Sequence, residues 1–121
     1  MSKGKVLILK KSPNDYNYPN KWSFCSGYVK EFEAGEDTVL REIKEETGLS
    51  AKIDKIGEIV LAEDKKLQRR WFVLPFLCST EKTSVKLCHE NAEFKWIEPK
   101  DIVNYDTVPS LIDDLKQFKL F

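Results

Sequence analysis

The apolar residues of this chain come in short runs that polar or turn-forming residues interrupt. The longest runs are 6–9 and 71–78, and Pro75 lies inside the second. Neither approaches the roughly 20 residues that a helix needs to cross a bilayer. The first apolar run is also too short for the core of a secretory signal peptide. These runs predict short strands and helices in one soluble domain covering residues 1–121, with no membrane partner.

The composition narrows the class of protein further. Of the 121 residues, 41% are hydrophobic, which is enough for a packed interior. Twenty basic residues balance twenty acidic ones, so an extended nucleic-acid-binding surface is not expected. Three cysteines without C-x-x-C spacing and a single histidine argue against a disulfide scaffold or a zinc ribbon, and favour the cytoplasm. Any metal would then be held by carboxylates, which suit Mg²⁺ or Mn²⁺.

The order of residue types predicts a mixture of strands and helices. Alternating or β-rich segments predict strands at 5–10, 22–28, 51–62, 71–79 and 94–97. Helical spacing predicts helices at 36–47 and 108–118, while turn-forming residues fill 12–20 and basic residues fill 65–70. The strand at 71–79 is apolar enough to be covered on both faces. This order predicts an α/β fold in which helices sandwich a sheet.

The helix at 36–47 carries a concentrated acidic face. Glu42, Glu45 and Glu46 are three or four residues apart and project from the same side. Like charges at this spacing destabilise an isolated helix by a few tenths of a kcal/mol per pair. A solvated acidic face is one interpretation, and a face that binds a cation is the other. Arg41 lies four residues before Glu45 and is placed to orient it.

Residues on both sides of this helix are suited to complete such a site. Glu33 leads into the helix and can fold back towards the acidic face. Gly27 lets the backbone turn sharply, so that the carbonyl of Ser26 can face an ion. Gly48 follows the helix as its C′ residue, where a positive φ is favoured.

The spacing of these residues matches a known motif. Residues 27–49 read GYVKEFEAGEDTVLREIKEETGL and fit G-x5-E-x7-R-E-U-x-E-E-x-G-U at every fixed position, with U an aliphatic residue. A chance match in a chain of this composition is on the order of 10⁻⁷ or less. The chain therefore resembles the Nudix hydrolases. The resemblance implies the family's α/β/α sandwich with a mixed, partly antiparallel β-sheet.

The resemblance also implies an activity and a ligand set. Members hydrolyse a nucleoside diphosphate linked to another group, using water and a divalent cation, which is Mg²⁺ with Mn²⁺ as a substitute. The implied metal ligands are four carboxylates and one backbone carbonyl: Glu42, Glu45, Glu46, Glu90 and Ser26. The motif implies structural roles for Gly27, Glu33 and Gly48, and burial of Ile43 and Leu49.

Catalysis in this family needs a group that removes a proton from water, and its position varies. A carboxylate in this role typically contributes 10²- to 10⁴-fold. The candidates are Glu45 inside the motif and Glu90 in a later loop, with Glu93 as a neighbouring alternative. The resemblance implies a catalytic role for Arg41 as well, because it would orient the glutamates. His89 is expected to be a surface residue.

The substrate is predicted by elimination. The sequence markers of hydrolases for ADP-ribose, diadenosine polyphosphates, NADH and coenzyme A are missing, which favours a small nucleotide such as a (d)NTP, cut to a nucleoside monophosphate. Tyr16, Tyr18 and Trp22 can stack on a base, and Arg70 can hold a phosphate. Core packing for Trp22 and a solvated turn for Arg70 are the alternatives.

Two other functions and the oligomeric state stay open at this point. An RNA 5′-end pyrophosphohydrolase would use the same chemistry, although no broad basic surface is expected. A non-catalytic nucleotide sensor would be expected to have lost motif glutamates, and all of them are present. A homodimer is compatible with the sequence.

Overall fold

Short strands and two α-helices make up the computed structural model, which describes residues 1–27, 33–109 and 111–121. In chain order the elements are β1 (Val6–Lys11), β2 (Trp22–Ser23), α1 (Gly35–Thr47), β3 (Lys52–Ile56), β4 (Val60–Asp64), β5 (Arg69–Val73), β6 (Phe76–Ser79), β7 (Asn91–Ile97), a 3-10 helix (Pro99–Asn104) and α2 (Leu111–Gln117).

The strands form three antiparallel groups. The largest is a three-stranded sheet in the order β2-β1-β7, and β3-β6 and β4-β5 are two-stranded. In the register of β1 with β7, Val6 lies opposite Ile97 and Leu9 opposite Phe94. A parallel bridge from Trp22 to Thr107 adds the segment before α2 to the same sheet. The sheet arrangement is therefore mixed.

The two long strands predicted at 51–62 and 71–79 are wrong, because each is divided into two. Proline cannot donate a ladder hydrogen bond, and Pro75 separates β5 from β6. Opposite it, the Gly57 N–H donates to the Pro75 carbonyl at 2.8 Å, where β3 and β4 separate. The predicted covering of both faces is also wrong for β5, since Phe72 is 83% exposed.

Two other predicted elements are shorter in the structure. The strand predicted at 22–28 pairs only at Trp22 and Ser23, and its last residue lies outside the described residues. The helix predicted at 108–118 begins at Leu111. Val108 donates instead to the Trp22 carbonyl at 3.0 Å, and a residue before proline is held in an extended conformation.

The helix α1 agrees with its prediction to within one residue. It follows the extended residue Ala34 and ends at Thr47. Gly48 then takes a φ of 75°, and its N–H donates to the Lys44 carbonyl at 2.9 Å. A side chain at this position would be strained, which is why glycine is favoured there.

The core lies between the three-stranded sheet, the 3-10 helix and α2. Its buried members are all apolar: Val6, Ile8, Trp22, Ile97, Ile102, Leu111 and Leu115. Of the two motif residues expected to be buried, Leu49 is buried and Ile43 is half-buried. Neither helix in the described ranges is long and apolar enough to cross a membrane. This core fixes the sheet from which the loop 12–20 and the segment 24–27 extend towards α1.

Candidate active site

The guanidinium of Arg41 binds the carboxylate of Glu33 with two parallel hydrogen bonds. Its Nε donates to Glu33 Oε2 at 2.7 Å and its Nη2 to Glu33 Oε1 at 2.9 Å. Such a bidentate pair is short, directional and stronger than a single neutral hydrogen bond. It attaches the segment that leads into α1 to the side of the helix.

The same guanidinium also contacts two glutamates of the helix. Arg41 Nη1 donates to Glu42 Oε1 at 2.7 Å and to Glu45 Oε2 at 3.2 Å. The hydrogen bond to Glu33, followed by that to Glu42, raises the pKa of Arg41 further above its ordinary value. One positive charge therefore faces three carboxylates that would otherwise repel one another.

Thr38 secures Glu33 from the other side. Its hydroxyl donates to Glu33 Oε1 at 2.8 Å and lies 3.2 Å from the carbonyl oxygen of Ala34, one turn earlier. Thr38 is buried, so the Glu33 carboxylate is held between this hydroxyl and Arg41. The motif does not specify a residue type at position 38, so the sequence does not select Thr38 for the site. Its position five residues after the motif glutamate is the only signal for it in the sequence.

Glu46 is the buried acid of the site. Within the described residues, its Oε2 atom is buried and has no hydrogen-bond partner. Burial raises the pKa of Glu46 to about 7, and the negative charges of Glu42 and Glu90 act in the same direction. The positive charge of Lys11 and the backbone N–H of Ser26 lower the pKa of Glu46 and thus favour its ionised form. The charges of Glu42 and Glu90 and the backbone N–H of Ser26 therefore all act on this carboxyl group.

Cys25 lies beside Glu46. Burial and then the charge of Glu46 raise the pKa of the Cys25 thiol well above its ordinary value. A thiol that resists ionisation is a poor nucleophile, because the thiolate is the reactive form. Cys25 therefore packs against the acidic residue and does not supply covalent chemistry.

Gly27 makes the close approach of the chain to α1 possible. A Cβ atom added at this position would overlap the side chain of Glu42. The neighbouring Glu42 carboxylate is held by Arg41 and has little freedom to move away. The glycine at the start of the motif therefore lets the backbone of residues 26 and 27 pass directly over the acidic face.

The residues around Glu46 fit a hard divalent cation. In the parts of the chain that the structure describes, no set of three or more Asp, Glu, His or Cys side chains converges on one point. The fit rests on the buried Oε2 of Glu46, which lacks a positive partner, and on the adjacent charges of Glu42 and Glu90. Oxygen donors of this kind are those that Mg²⁺ and Mn²⁺ prefer.

A cleft of about 1400 Å³ adjoins this acidic group. Glu42, Glu46 and Glu90 line it together with Tyr16 and Tyr18 of the loop before β2. Glu90 is exposed and is placed next to this loop, since its carbonyl accepts a hydrogen bond from the Ser12 N–H at 3.0 Å. The cleft therefore brings two of the predicted base-stacking residues and the predicted later-loop glutamate to the motif helix.

Tyr18 is fixed against the β4-β5 hairpin. Its hydroxyl donates to Asp64 at 2.7 Å, and its ring centroid lies 6.3 Å from that of Trp71. Burial, together with the hydrogen bond to Asp64, raises the pKa of Tyr18 to about 12. Tyr16 is 84% exposed, and the guanidinium of Arg69 lies 5.3 Å from its ring centroid. The two tyrosines are available as an aromatic wall of the cleft.

The structure does not place Trp22 or Arg70 at the cleft. Trp22 is 7% exposed and packs in the core, with the ring of Tyr105 edge-on at 5.4 Å, so it cannot stack on a ligand. Arg70 is exposed and forms an ion pair with Glu63 at 3.1 Å. For both residues the alternative interpretation agrees with the structure. The reason is that the Trp22 side chain belongs to the core cluster, while Arg70 is exposed on its hairpin and pairs with Glu63.

Trp71 lines the cleft, and sequence reasoning did not select it. It lies opposite the buried Ala62 in the β4-β5 register, on the other face from Arg70. The alternation of strand residues could have indicated this, because neighbouring residues of a strand face opposite sides. Glu93, the alternative later-loop acid, forms an ion pair with Lys10 at 3.5 Å. His89 is exposed, as expected.

Asp114 of α2 is a further cleft residue that sequence reasoning missed. Its Oδ1 atom is buried without a hydrogen-bond partner in the described residues. Burial raises the pKa of Asp114 to about 6, and the neighbouring charge of Asp113 adds to this shift. The sequence gives no signal for it, because Asp113 and Asp114 are indistinguishable as an acidic pair on a short helix.

Comparisons with known proteins match most of this chain to one domain family. The family model described as the NUDIX domain matches residues 1–117. The nucleoside triphosphatase NudI of Escherichia coli O17:K52:H18 is 27% identical over 112 residues, which are 85% of this chain and 79% of that protein. NudI of Shigella flexneri gives the same identity over the same length.

Solved structures with the same fold include two proteins of the MutT type. The MutT protein from Methanosarcina mazei Go1 has a TM-score of 0.83 and 27% identity, with 97% of this chain and 85% of that chain covered. The MutT NUDIX hydrolase from Burkholderia pseudomallei has a TM-score of 0.81 and 20% identity, over 95% of this chain and 88% of that chain. The predicted α/β sandwich with a mixed sheet is thereby confirmed.

We predict that Arg41→Lys lowers the melting temperature much more than Arg70→Lys does. A lysine cannot form the bidentate pair with Glu33 while also reaching Glu42. The control makes the same change in an exposed Arg–Glu pair, whose contribution to stability is small. Differential scanning calorimetry measures the melting temperatures of both variants. Equal melting temperatures for the two variants would contradict the central role of Arg41.

We predict that Asp114→Asn stabilises the protein at pH 7 but not at about pH 4. The pKa of Asp114 in the folded state, about 6, lies above the ordinary value of 3.8, so the folded state binds this proton more tightly. The free energy of unfolding of the wild-type protein therefore falls as the pH rises from about 4 to about 6. The amide of the Asp114→Asn variant does not ionise, so the variant does not lose this stability.

The expected gain for Asp114→Asn is about 1–2 kcal/mol at pH 7, after allowance for solvent screening of a half-buried group. Urea unfolding at the two pH values measures it. Asp113→Asn removes an exposed neighbouring charge and should show a much smaller dependence on pH. An equal dependence in the two variants would contradict the assignment to Asp114.

Proposed function

The chain belongs to the Nudix hydrolase family, and we propose that it is a Mg²⁺-dependent enzyme that cleaves a phosphoanhydride bond of a small nucleotide such as a (d)NTP, releasing a nucleoside monophosphate. The single observation that carries this proposal is the unpartnered Oε2 atom of Glu46, which is buried among further acidic groups next to the cleft. A buried carboxylate without a positive partner is costly and is stabilised when a cation binds.

The proposed cation ligands are the carboxylates of Glu42, Glu45 and Glu46, together with the Ser26 carbonyl and, from the later loop, Glu90. When bound, the cation neutralises phosphate charge and acts as a Lewis acid at phosphorus. Arg41 orients Glu42 and Glu45, so that two carboxylates are in place before the ligand arrives. Gly27 keeps the backbone close enough to Glu42 for the neighbouring carbonyl to take part.

The proposed general base is Glu90. It is exposed to solvent, lines the cleft and lies near enough to Glu46 to influence its pKa. In the proposed step, water forms a bond to phosphorus, the anhydride bond to that phosphorus breaks so that the nucleoside monophosphate separates from pyrophosphate, and the proton of the water passes to the Glu90 carboxylate. Glu45, whose side chain is 56% exposed, is the alternative base within the motif.

The nucleotide class is supported by the relatives and by the cleft. NudI is named a nucleoside triphosphatase and is similar to this chain over most of its length. Tyr16, Tyr18 and Trp71 provide aromatic faces in the same cleft, and such faces stack on any nucleobase. We also propose that residues 1–121 form a single Nudix domain.

A substrate panel with Mg²⁺ and Mn²⁺ tests the proposal. It contains (d)NTPs, oxidised dNTPs, dinucleoside polyphosphates, ADP-ribose and 5′-triphosphate RNA. We expect hydrolysis of (d)NTPs, and we expect Glu46→Gln to lower the rate by about 10³-fold with the fold intact. Glu81→Gln, the same change at an exposed position, serves as the control. Metal-independent turnover, or an active Glu46→Gln variant, would refute the proposal.

We predict that Glu90→Gln lowers kcat by at least about tenfold and removes the acidic limb of the pH–rate profile, because glutamine cannot accept the proton. Single-turnover kinetics with the best substrate of the panel measures this. Glu93→Gln is the matched control, since Glu93 is an exposed acid of the adjacent strand paired with Lys10. An unchanged rate for Glu90→Gln would assign the base to Glu45.

A further inference from the structure

The hairpin of β4 and β5 has one covered face and one exposed apolar face. On the covered face, the buried Ala62 lies opposite Trp71. On the other face, Leu61 and Phe72 lie opposite each other and are 51% and 83% exposed. Ile59, two residues before Leu61, is 64% exposed. Contiguous apolar patches on the surface of a soluble protein mark interaction sites, so this outer face calls for an occupant.

The next outward-facing pair of the hairpin carries opposite charges. Glu63 lies opposite Arg70, and because strand residues two apart face the same side, this pair shares the outer face with Leu61 and Phe72. Arg70 Nε lies 3.1 Å from Glu63 Oε1, and the two side chains are 74% and 42% exposed. A guanidinium has five N–H donors, so Arg70 can bind a second carboxylate as well. The outer face therefore combines an apolar pair with one acid and one base.

We propose that this outer face binds the same face of a second copy of the chain, with a two-fold axis that runs along the strands. Rotation by 180° about such an axis exchanges the positions of β4 and β5. Leu61 of one copy then lies over Phe72 of the other, and Glu63 over Arg70, and each contact is formed twice. The face is thus complementary to itself in apolar character and in charge, as a two-fold interface requires.

The size of the face suits such a dimer. The exposed parts of the three apolar side chains and of the ion pair amount to roughly 600 Å² per copy, so two copies bury roughly 1,200 Å², above the ~1,000 Å² that a biological interface needs. Sheets packed face to face keep their strands within about 30° of each other, which holds both pairs in contact. A membrane surface is a poorer match, because an anionic bilayer attracts basic groups and repels Glu63.

A second copy also supplies the layer that this hairpin lacks. In the described ranges, β4 and β5 form a sheet without a third strand. A two-stranded hairpin is marginally stable unless other elements pack against it. Its inner side is held by the rest of the protein, since the Tyr18 hydroxyl donates to Asp64 at 2.7 Å and the Tyr18 ring lies beside Trp71. The outer side is the one that a second copy covers.

Sedimentation equilibrium over a range of protein concentrations tests the proposal. The turn residues Lys65 and Lys66 of the two copies lie at the same end of the dimer, so the buffer contains about 0.15 M salt, which screens exposed charges over about 8 Å. We expect the wild-type protein to dimerise reversibly. A protein that stays monomeric at the highest concentration would overturn the proposal, whether or not it binds some other partner.

Phe72→Ser removes the most exposed apolar side chain of the face. It should raise the Kd of the dimer at least about thirtyfold, as the loss of an interface hot spot does. Val103→Ser is the matched control, because Val103 is an apolar residue of the 3-10 helix that is 62% exposed. The control should leave the Kd unchanged, and circular dichroism checks that both variants are folded. An unchanged Kd for Phe72→Ser would contradict the assignment of this face.

A mixture of two charge variants tests the arrangement of the copies. Glu63→Arg places two arginines on the face, and Arg70→Glu places two glutamates there. Each variant alone should dimerise at least about tenfold more weakly than the wild type, because like charges face each other across the axis.

An equimolar mixture of the two variants should form a heterodimer, in which two arginines face two glutamates. The pair within each chain is broken in both variants, so only contact between the copies can produce this rescue. Sedimentation with one chain fluorescently labelled measures the heterodimer. If the mixture associates no better than the separate variants, the two-fold arrangement is refuted.

Discussion

The guanidinium of Arg41 is the interaction on which the acidic side of this molecule depends. It binds Glu33 with two hydrogen bonds and contacts Glu42 and Glu45 with a third nitrogen. Three carboxylates this close would otherwise repel one another, and the segment before α1 would lose its bidentate attachment to the helix. Because Arg41 and Glu33 are largely shielded from water, solvent ions screen their attraction less than they screen an exposed pair. The shape of the candidate site therefore follows from one cluster in which a single positive charge partly offsets three negative ones.

The consequence is a division of the motif glutamates into two kinds. Glu42 and Glu45 are held by a positive charge, which fixes their geometry. Glu46 is buried beside Cys25 and keeps one oxygen unpaired in the described structure. Such a group lowers the stability of the empty protein, and a cation that binds there recovers that loss. Asp114 of α2 also keeps one buried oxygen unpaired in the described structure.

How far the sequence predicts the fold depends on how local each feature is. The helix α1 and its end at Gly48 were predicted to within one residue, because helical spacing and a C′ glycine act over a few residues. The two long strands are wrong in two ways. Pro75, visible in the sequence, breaks the second one because it cannot donate a ladder hydrogen bond. The break of the first at Gly57 depends instead on its hydrogen bond to the distant Pro75 carbonyl. Trp22 was selected as a stacking residue but lies in the core, whereas Trp71 was not selected and lines the cleft. Aromatic side chains suit both places, so composition cannot distinguish them.

The sequence by itself determined the family, the acidic face of α1 and the residues available to hold a cation. It could do so because helix periodicity and motif spacing place those side chains without reference to the rest of the chain. Only the tertiary structure decided which of the acidic oxygens are left without partners. Burial of Glu46 depends on the approach of residues 25–27 and the later loop, and burial of Asp114 depends on the packing of α2 against the core. Desolvation is a property of the assembled interior, and no local pattern of residues specifies it.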